Sequence, residues 1–103
     1  MTILLKLSRR LKMTLKIRRS NVFKKDVEKA RKRGFDIKLL DELINKLANQ
    51  EKLDERYHDH PLIGNYSDFR ECHIKPNWLL IYYVDNQELK LFLFRTGTHS
   101  DLF

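Results

Sequence analysis

The spacing of apolar residues changes character once along this chain, and that change dictates its fold class. After Ser20, the residues Phe23, Val27 and Ala30 recur three and four positions apart, and Leu40, Leu43, Ile44 and Leu47 repeat the pattern further on. From residue 69 the apolar residues instead fall in three short runs, Phe69–Ile74, Trp78–Val84 and Leu89–Thr96. A helix buries one stripe at a period of about 3.6 and a strand buries one face at a period of about 2. Ahead of the helical stretch, Thr14-Leu15-Lys16-Ile17-Arg18 alternates polar and apolar, as a half-buried strand does. The order is therefore strand, two helices, three strands. Ser20 and Asp36 stand as N-caps, and Gly34 supplies the left-handed residue that ends the first helix. The short loop between the helices predicts an antiparallel pair. Lys75-Pro76-Asn77 and Asp85-Asn86-Gln87 read as turns, which makes the last three strands an antiparallel meander. The expected class is α+β, with the helix pair on one face of a mostly antiparallel sheet. Residues 49–67 are mostly polar, with Pro61 and Gly64 as breakers, and read as an ordered loop.

With 103 residues, 42% of them hydrophobic, and only 3 Gly and 2 Pro, the chain can fill one core without a disulfide or a metal. Its single cysteine, Cys72, excludes an internal disulfide and suits a reducing compartment. No apolar run is long enough to cross a membrane. Ile3-Leu4-Leu5-Lys6-Leu7 is too short for a signal peptide, and Arg9-Arg10 follows it instead of preceding it. The expected location is cytoplasmic, with no membrane partner. Residues 1–12 read as an N-terminal extension and residues 13–103 as one domain, with Met13 a second candidate start just before the first strand pattern.

Charge divides the chain. Residues 1–50 carry 15 Lys and Arg against 5 Asp and Glu, a net of +10, whereas residues 51–103 carry 6 against 9, a net of −3. Lys24, Lys25, Lys29, Arg31, Lys32 and Arg33 occupy the polar face of the first helix. A basic half of this kind points to a polyanion or to an acidic protein partner. A merely solvated helix face is the plainer alternative.

Side chains able to do chemistry crowd the other half: His58, His60, Arg70, Glu71, His73, Asn77, Trp78, Arg95 and His99. Histidines transfer protons near neutral pH, an arginine can hold a phosphate bidentately, and aromatic rings can stack on unpaired bases. Each has a plainer reading. His58 and His60 flank Asp59 in a loop, where histidines are usually only solvated. Cys72 and His73 are neighbours on a strand, so one faces the core, and Cys72 is the better core residue. Trp78 and Phe103 can simply pack. A metal site is the rival arrangement, with His58 and His60 on one side of an extended segment and His73 or His99 completing the set. No carboxylate–histidine pairing at helical spacing supports it. The reading adopted is no metal and no cofactor.

Three strings carry a resemblance. They are Asp59-His60-Pro61-Leu62 with Gly64, the run Phe69-Arg70-Glu71-Cys72-His73-Ile74-Lys75-Pro76-Asn77-Trp78, and the C-terminal Arg95-Thr96-Gly97-Thr98-His99-Ser100-Asp101-Leu102-Phe103. Together they resemble the YafQ-like branch of the RelE/ParE toxins over roughly residues 13–103, most specifically in the C-terminal half. The resemblance implies a RelE-like fold and the toxin role in a type II toxin–antitoxin system. It also implies a metal-independent endoribonuclease (mRNA interferase) that cuts codons in the ribosomal A site. The implied partners are the ribosome, mRNA and a cognate acidic antitoxin of the ribbon-helix-helix type. By the same resemblance His60, His73 and His99 are the functional histidines and Arg95 contacts phosphate, with Glu71, Asn77, Trp78, Phe103 and Arg70 in supporting or RNA-binding positions. Two departures stand out: Asn77 replaces an aspartate common before the tryptophan and cannot accept a proton, and Glu71 stands where some relatives have the shorter Asp. RNA supplies its own 2′-hydroxyl nucleophile, so the chemistry needs a base, an acid and a cation at the phosphate. His73 or His60 as base, His99 as acid and Arg95 as cation meet that need. In an extended strand, Arg95 and His99 would share a face. The competing readings are a non-catalytic, gyrase-directed binder of the ParE type, which has no use for this histidine set, and a catalytically weakened homologue marked by Asn77.

Overall fold

The structure, a computed structural model, describes residues 13–103. The expected extension at residues 1–12 lies outside the described residues. Strand β1 (Lys16–Arg19) leads into helix α1 (Asn21–Lys32) and helix α2 (Ile37–Ala48). A two-residue strand β2 (His60–Pro61) follows, then β3 (Arg70–Lys75), β4 (Trp78–Asp85), β5 (Lys90–Gly97) and a one-turn helix α3 (His99–Leu102).

The helix ends form for the reasons the sequence predicts. The Ser20 side chain accepts from the Phe23 amide and Asp36 accepts from the Lys38 amide. Gly34 has φ +84°, the left-handed region where a Cβ is penalised. The two helices lay their apolar stripes, Phe23 and Ala30 from α1 and Leu40, Leu43, Ile44 and Leu47 from α2, against one face of the sheet. That face contributes Cys72, Leu80, Tyr82, Leu91 and Leu93.

The sheet order is β1-β5-β4-β3-β2. The meander β3-β4-β5 is antiparallel as expected, and β1 joins it in parallel beside β5. The residues expected to form a loop contain more structure than that. Glu55–Tyr57 and Gly64–Tyr66 are 3-10 turns, and His60–Pro61 pairs with β3. Two residues show no periodicity, and proline is tolerated on an edge strand because the missing N–H can face away from the ladder. Nor does the last strand run on to His99. It stops at Gly97, because Thr98 and Asp101 form a reciprocal capping box that opens α3.

Trp78 is a core residue here. It is 3% exposed, its ring lies edge-on to Phe35 at 5.0 Å, and its Nε1–H donates to Thr96 Oγ1 at 3.0 Å. Thr96 in turn donates to the Leu79 carbonyl at 2.7 Å. Thr96→Val should therefore orphan the buried indole N–H and cost about 1–3 kcal/mol. For a domain of this size each kcal/mol lowers Tm by about 4–8 °C. Thermal unfolding within a degree of wild type would show that this bond contributes nothing.

Candidate active site on the open sheet face

Strand alternation sorts the candidate residues. Cys72 and Ile74 go under the helices, so Glu71 and His73 stand on the face the helices leave open. Cross-strand partners share a face, and the register runs His60↔Glu71, Glu71↔Ile81 and Ile81↔Arg95. A second row runs His73↔Leu79↔Gly97. His60, Glu71, His73 and Arg95 therefore occupy one face, over a floor of buried Leu79 and Ile81. With strands about 4.8 Å apart, the Glu71 and Arg95 backbones are about 10 Å apart.

A β-bulge puts Arg95 there. The β4–β5 register shifts between Ile81 and Tyr82, so that Leu93 pairs with Tyr82 on the core face while Arg95 pairs with Ile81 on the open one. Phe94 is the extra residue, and its ring lies 4.8 Å from Phe69. Bulges re-aim side chains in this way.

At one end of the face Glu71 is the hub. Its side chain is 7% exposed, and its Oε1 lies 3.5 Å from His60 Nε2 and 3.5 Å from His73 Nε2. The His58 ring meets His73 edge-on at 5.5 Å. An open cleft of about 800 Å³ is lined here by His58, His60, His73, Tyr57 and Pro76. One ligand atom each from His60, Glu71 and His73 falls within 4.8 Å of the others. Two imidazoles and a carboxylate at that spacing suit a borderline divalent ion. The possible metal set is thus different from the one the His58-x-His60 spacing suggests: Glu71 enters it and His58 does not.

The loop that carries His58 and His60 is pinned by Asp59. Its carboxylate accepts from Arg70 Nη2 at 2.9 Å and Nε at 3.2 Å, and from the Tyr82 hydroxyl. Burial, then the Asp59 bond, pushes the Tyr82 phenol well above its ordinary range. Arg70 pairs with Tyr82 on the helix side of the sheet, so it holds the loop and does not face the site. Burial likewise pushes the Cys72 thiol far up, which leaves it an inert core group. Asn77 is exposed in the β3–β4 turn.

At the other end α3 carries His99 and Phe103, whose rings are 5.3 Å apart. Phe103 is 63% exposed. This turn is anchored to α1: Asp101 accepts from Arg33 Nη1 at 2.7 Å and lies 3.4 Å from Lys29 Nζ. The Arg33 bond, then the Thr98 backbone amide, hold the Asp101 carboxyl well below the usual carboxylate range.

Sequence reasoning missed Asp26. The candidate phosphate cation, Arg95, donates from Nε to Asp26 Oδ2 at 2.8 Å and from Nη2 to Oδ1 at 3.3 Å. Asp26 is one of two acids, with Glu28, on a predominantly basic helix, and its place on the Phe23–Ala30 stripe does not by itself name a partner.

Comparison with known proteins is consistent across sequence and structure. Residues 15–103 match the family described as the bacterial toxin of type II toxin–antitoxin systems, YafQ. The mRNA interferase toxin YafQ of Escherichia coli (strain K12) is 40% identical over 85 residues, covering 82% of this chain and 90% of that one. A metal-bound toxin from Helicobacter pylori is 49% identical and superposes with a TM-score of 0.82 over 86% of this chain and 99% of that one. The E. coli DinJ–YafQ toxin–antitoxin complex gives 38% identity and a TM-score of 0.80 over 88% of this chain and 99% of that one.

The Asp101 anchor makes a stability prediction. Because its folded value is depressed, its contribution is complete above the ordinary carboxylate range of about 4 and is lost as the pH falls through the lowered value. Asp101→Asn should flatten the acid limb of stability measured by urea titration and speed amide exchange in residues 99–103. Wild-type exchange there would show that α3 is held by something else.

Proposed function

The chain belongs to the YafQ family of bacterial toxins from type II toxin–antitoxin systems, and on that premise we propose that it is an endoribonuclease cutting messenger RNA on the ribosome. The supporting observation is the row His60–Glu71–Ile81–Arg95 on the open face, with a buried carboxylate between two imidazoles at one end and a cation at the other. A binder of the ParE type has no use for this arrangement.

The reaction uses the RNA 2′-hydroxyl as nucleophile. His73 or His60 takes its proton, with Glu71, 3.5 Å from each ring, fixing the ring tautomer. The 2′-oxygen bonds to phosphorus, and the phosphorus–O5′ bond breaks. His99 gives its proton to the departing 5′-oxygen. Arg95 stabilises the charge that builds on the phosphate oxygens. The products are a 2′,3′-cyclic phosphate and a 5′-hydroxyl. The exposed Phe103 ring beside His99 offers a base-stacking platform at the rim. Asn77 cannot accept a proton, which leaves the base role to the histidines or Glu71.

The His60, Glu71 and His73 donors fit a divalent metal, which if bound would supply Lewis-acid neutralisation of phosphate charge. It would also take the lone pairs that proton transfer needs. Cleavage of a programmed ribosome should therefore persist in protein treated with EDTA and returned to magnesium, and should fall on addition of zinc. A 2′-deoxy nucleotide at the scissile position should abolish it. Continued cutting of the 2′-deoxy message, or activity that appears only with zinc, would contradict the chemistry.

The partner is an acidic antitoxin of the ribbon-helix-helix type, acting in the cytoplasm. Lys24, Lys25 and Lys32 on the exposed face of α1 have no ion-pair partner among the described residues and offer it a docking charge. Association should slow as ionic strength rises. An on-rate unchanged between low and high salt, measured by stopped flow, would remove the electrostatic part of this reading.

A further inference from the structure

Arg95 does not hang free over the open face. Strand β1 pairs with β5 only as far as Leu93, so among the described residues the edge of β5 beyond it has no strand neighbour. Asp26 fills that edge from α1. Its carboxylate accepts the Thr96 backbone N–H at 3.1 Å and both Nε and Nη2 of Arg95. The Asp26 side chain is 12% exposed, against 29% for Arg95. The bond to Asp26 pushes the guanidinium still higher than its ordinary value, so it is cationic at any working pH.

A guanidinium has two forked edges. Asp26 takes the Nε/Nη2 edge. The Nη1/Nη2 edge has no protein partner among the described residues. We propose that Asp26 is a positioning residue that fixes Arg95 in one rotamer with this second edge presented to the scissile phosphate; this rests on the assignment of Arg95 to that phosphate. An arginine without the clamp would lose side-chain freedom in the transition state, whereas the clamped one loses it on folding. The clamp also carries a negative charge close to the RNA path, which opposes ground-state binding. Removing it therefore slows the chemical step without weakening RNA affinity.

Asp26→Asn is the informative change, because the amide oxygen still accepts the Thr96 N–H while the carboxylate fork to Arg95 is lost. Under single-turnover conditions on a programmed ribosome, this variant should cleave about tenfold or more slowly, with ribosome affinity equal to wild type or tighter. Arg95→Ala should lose about 10²-fold or more, and the double variant should be no slower than Arg95→Ala alone. Asp26→Glu, which keeps the charge, should retain more rate than Asn. A wild-type rate for Asp26→Asn beside a slow Arg95→Ala would overturn the positioning role and leave the Arg95 assignment standing. Full activity of Arg95→Ala would remove both. Additive losses in the double variant, or a Glu variant slower than Asn, would show that Asp26 acts on the fold and not through Arg95.

Discussion

Cys72 and Ile74 must go under the helices, and since side chains alternate along a strand, Glu71 and His73 must then face the other way. The architecture of the site follows from that one constraint. A one-residue slip of β3 would bury Glu71 and His73 and expose Cys72 and Ile74. The register to β4 and β5 carries the same parity across the sheet, which brings Arg95 into line with Glu71. The buried face thus fixes where the polar groups stand, and the helices position the site without touching most of it.

The helices do touch it: Leu39 and Glu42 of α2 line the cleft beside His58, His60 and His73. Helix α1 reaches the far end of the sheet through two ion pairs of opposite sense: its Asp26 holds Arg95, and its Arg33 is held by Asp101. Both contacts fall where regular structure ends, at the edge of β5 beyond Leu93 and at the one-turn helix α3. Asp26 and Lys29 of α1, with its C-cap Arg33, therefore tie Arg95 and the His99 segment to the same rigid element. The remaining basic residues of α1 face solvent, which separates a structural use of its charge from one available to a partner.

Much of this was legible in the sequence, for identifiable reasons. Period and caps gave the helices because Ser20, Gly34 and Asp36 carry local instructions that tertiary contacts reinforce. The meander was legible from its turn residues. The β2 pairing was not, because a two-residue strand containing Pro61 has no period. The facing of Arg95 was not either. Leu91-Phe92-Leu93-Phe94-Arg95 alternates so regularly that parity assigns Arg95 to the side of Leu93, and only the bulge reverses it. Trp78 and Arg70 read as site residues by motif, yet the first is held in the core by Thr96 and the second on the helix side by Asp59. His60, His73 and Arg95 were nameable from their strings, but their shared face depends on pairings between segments distant in sequence. Asp26 was overlooked because an acid on a helix stripe signals nothing until its partner, 69 residues away, is known.

The central claim is that the open face cleaves RNA by activating the 2′-hydroxyl, and the chemical nature of the cut ends tests it most directly. Messenger fragments released from a programmed ribosome by the purified chain can be assayed for labelling by a kinase that requires a 5′-hydroxyl. They can also be assayed for phosphatase resistance at the 3′ side. The account predicts 5′-hydroxyl ends and 2′,3′-cyclic phosphates. Ends bearing 5′-phosphate and 3′-hydroxyl would mean that water was the nucleophile, and would contradict it.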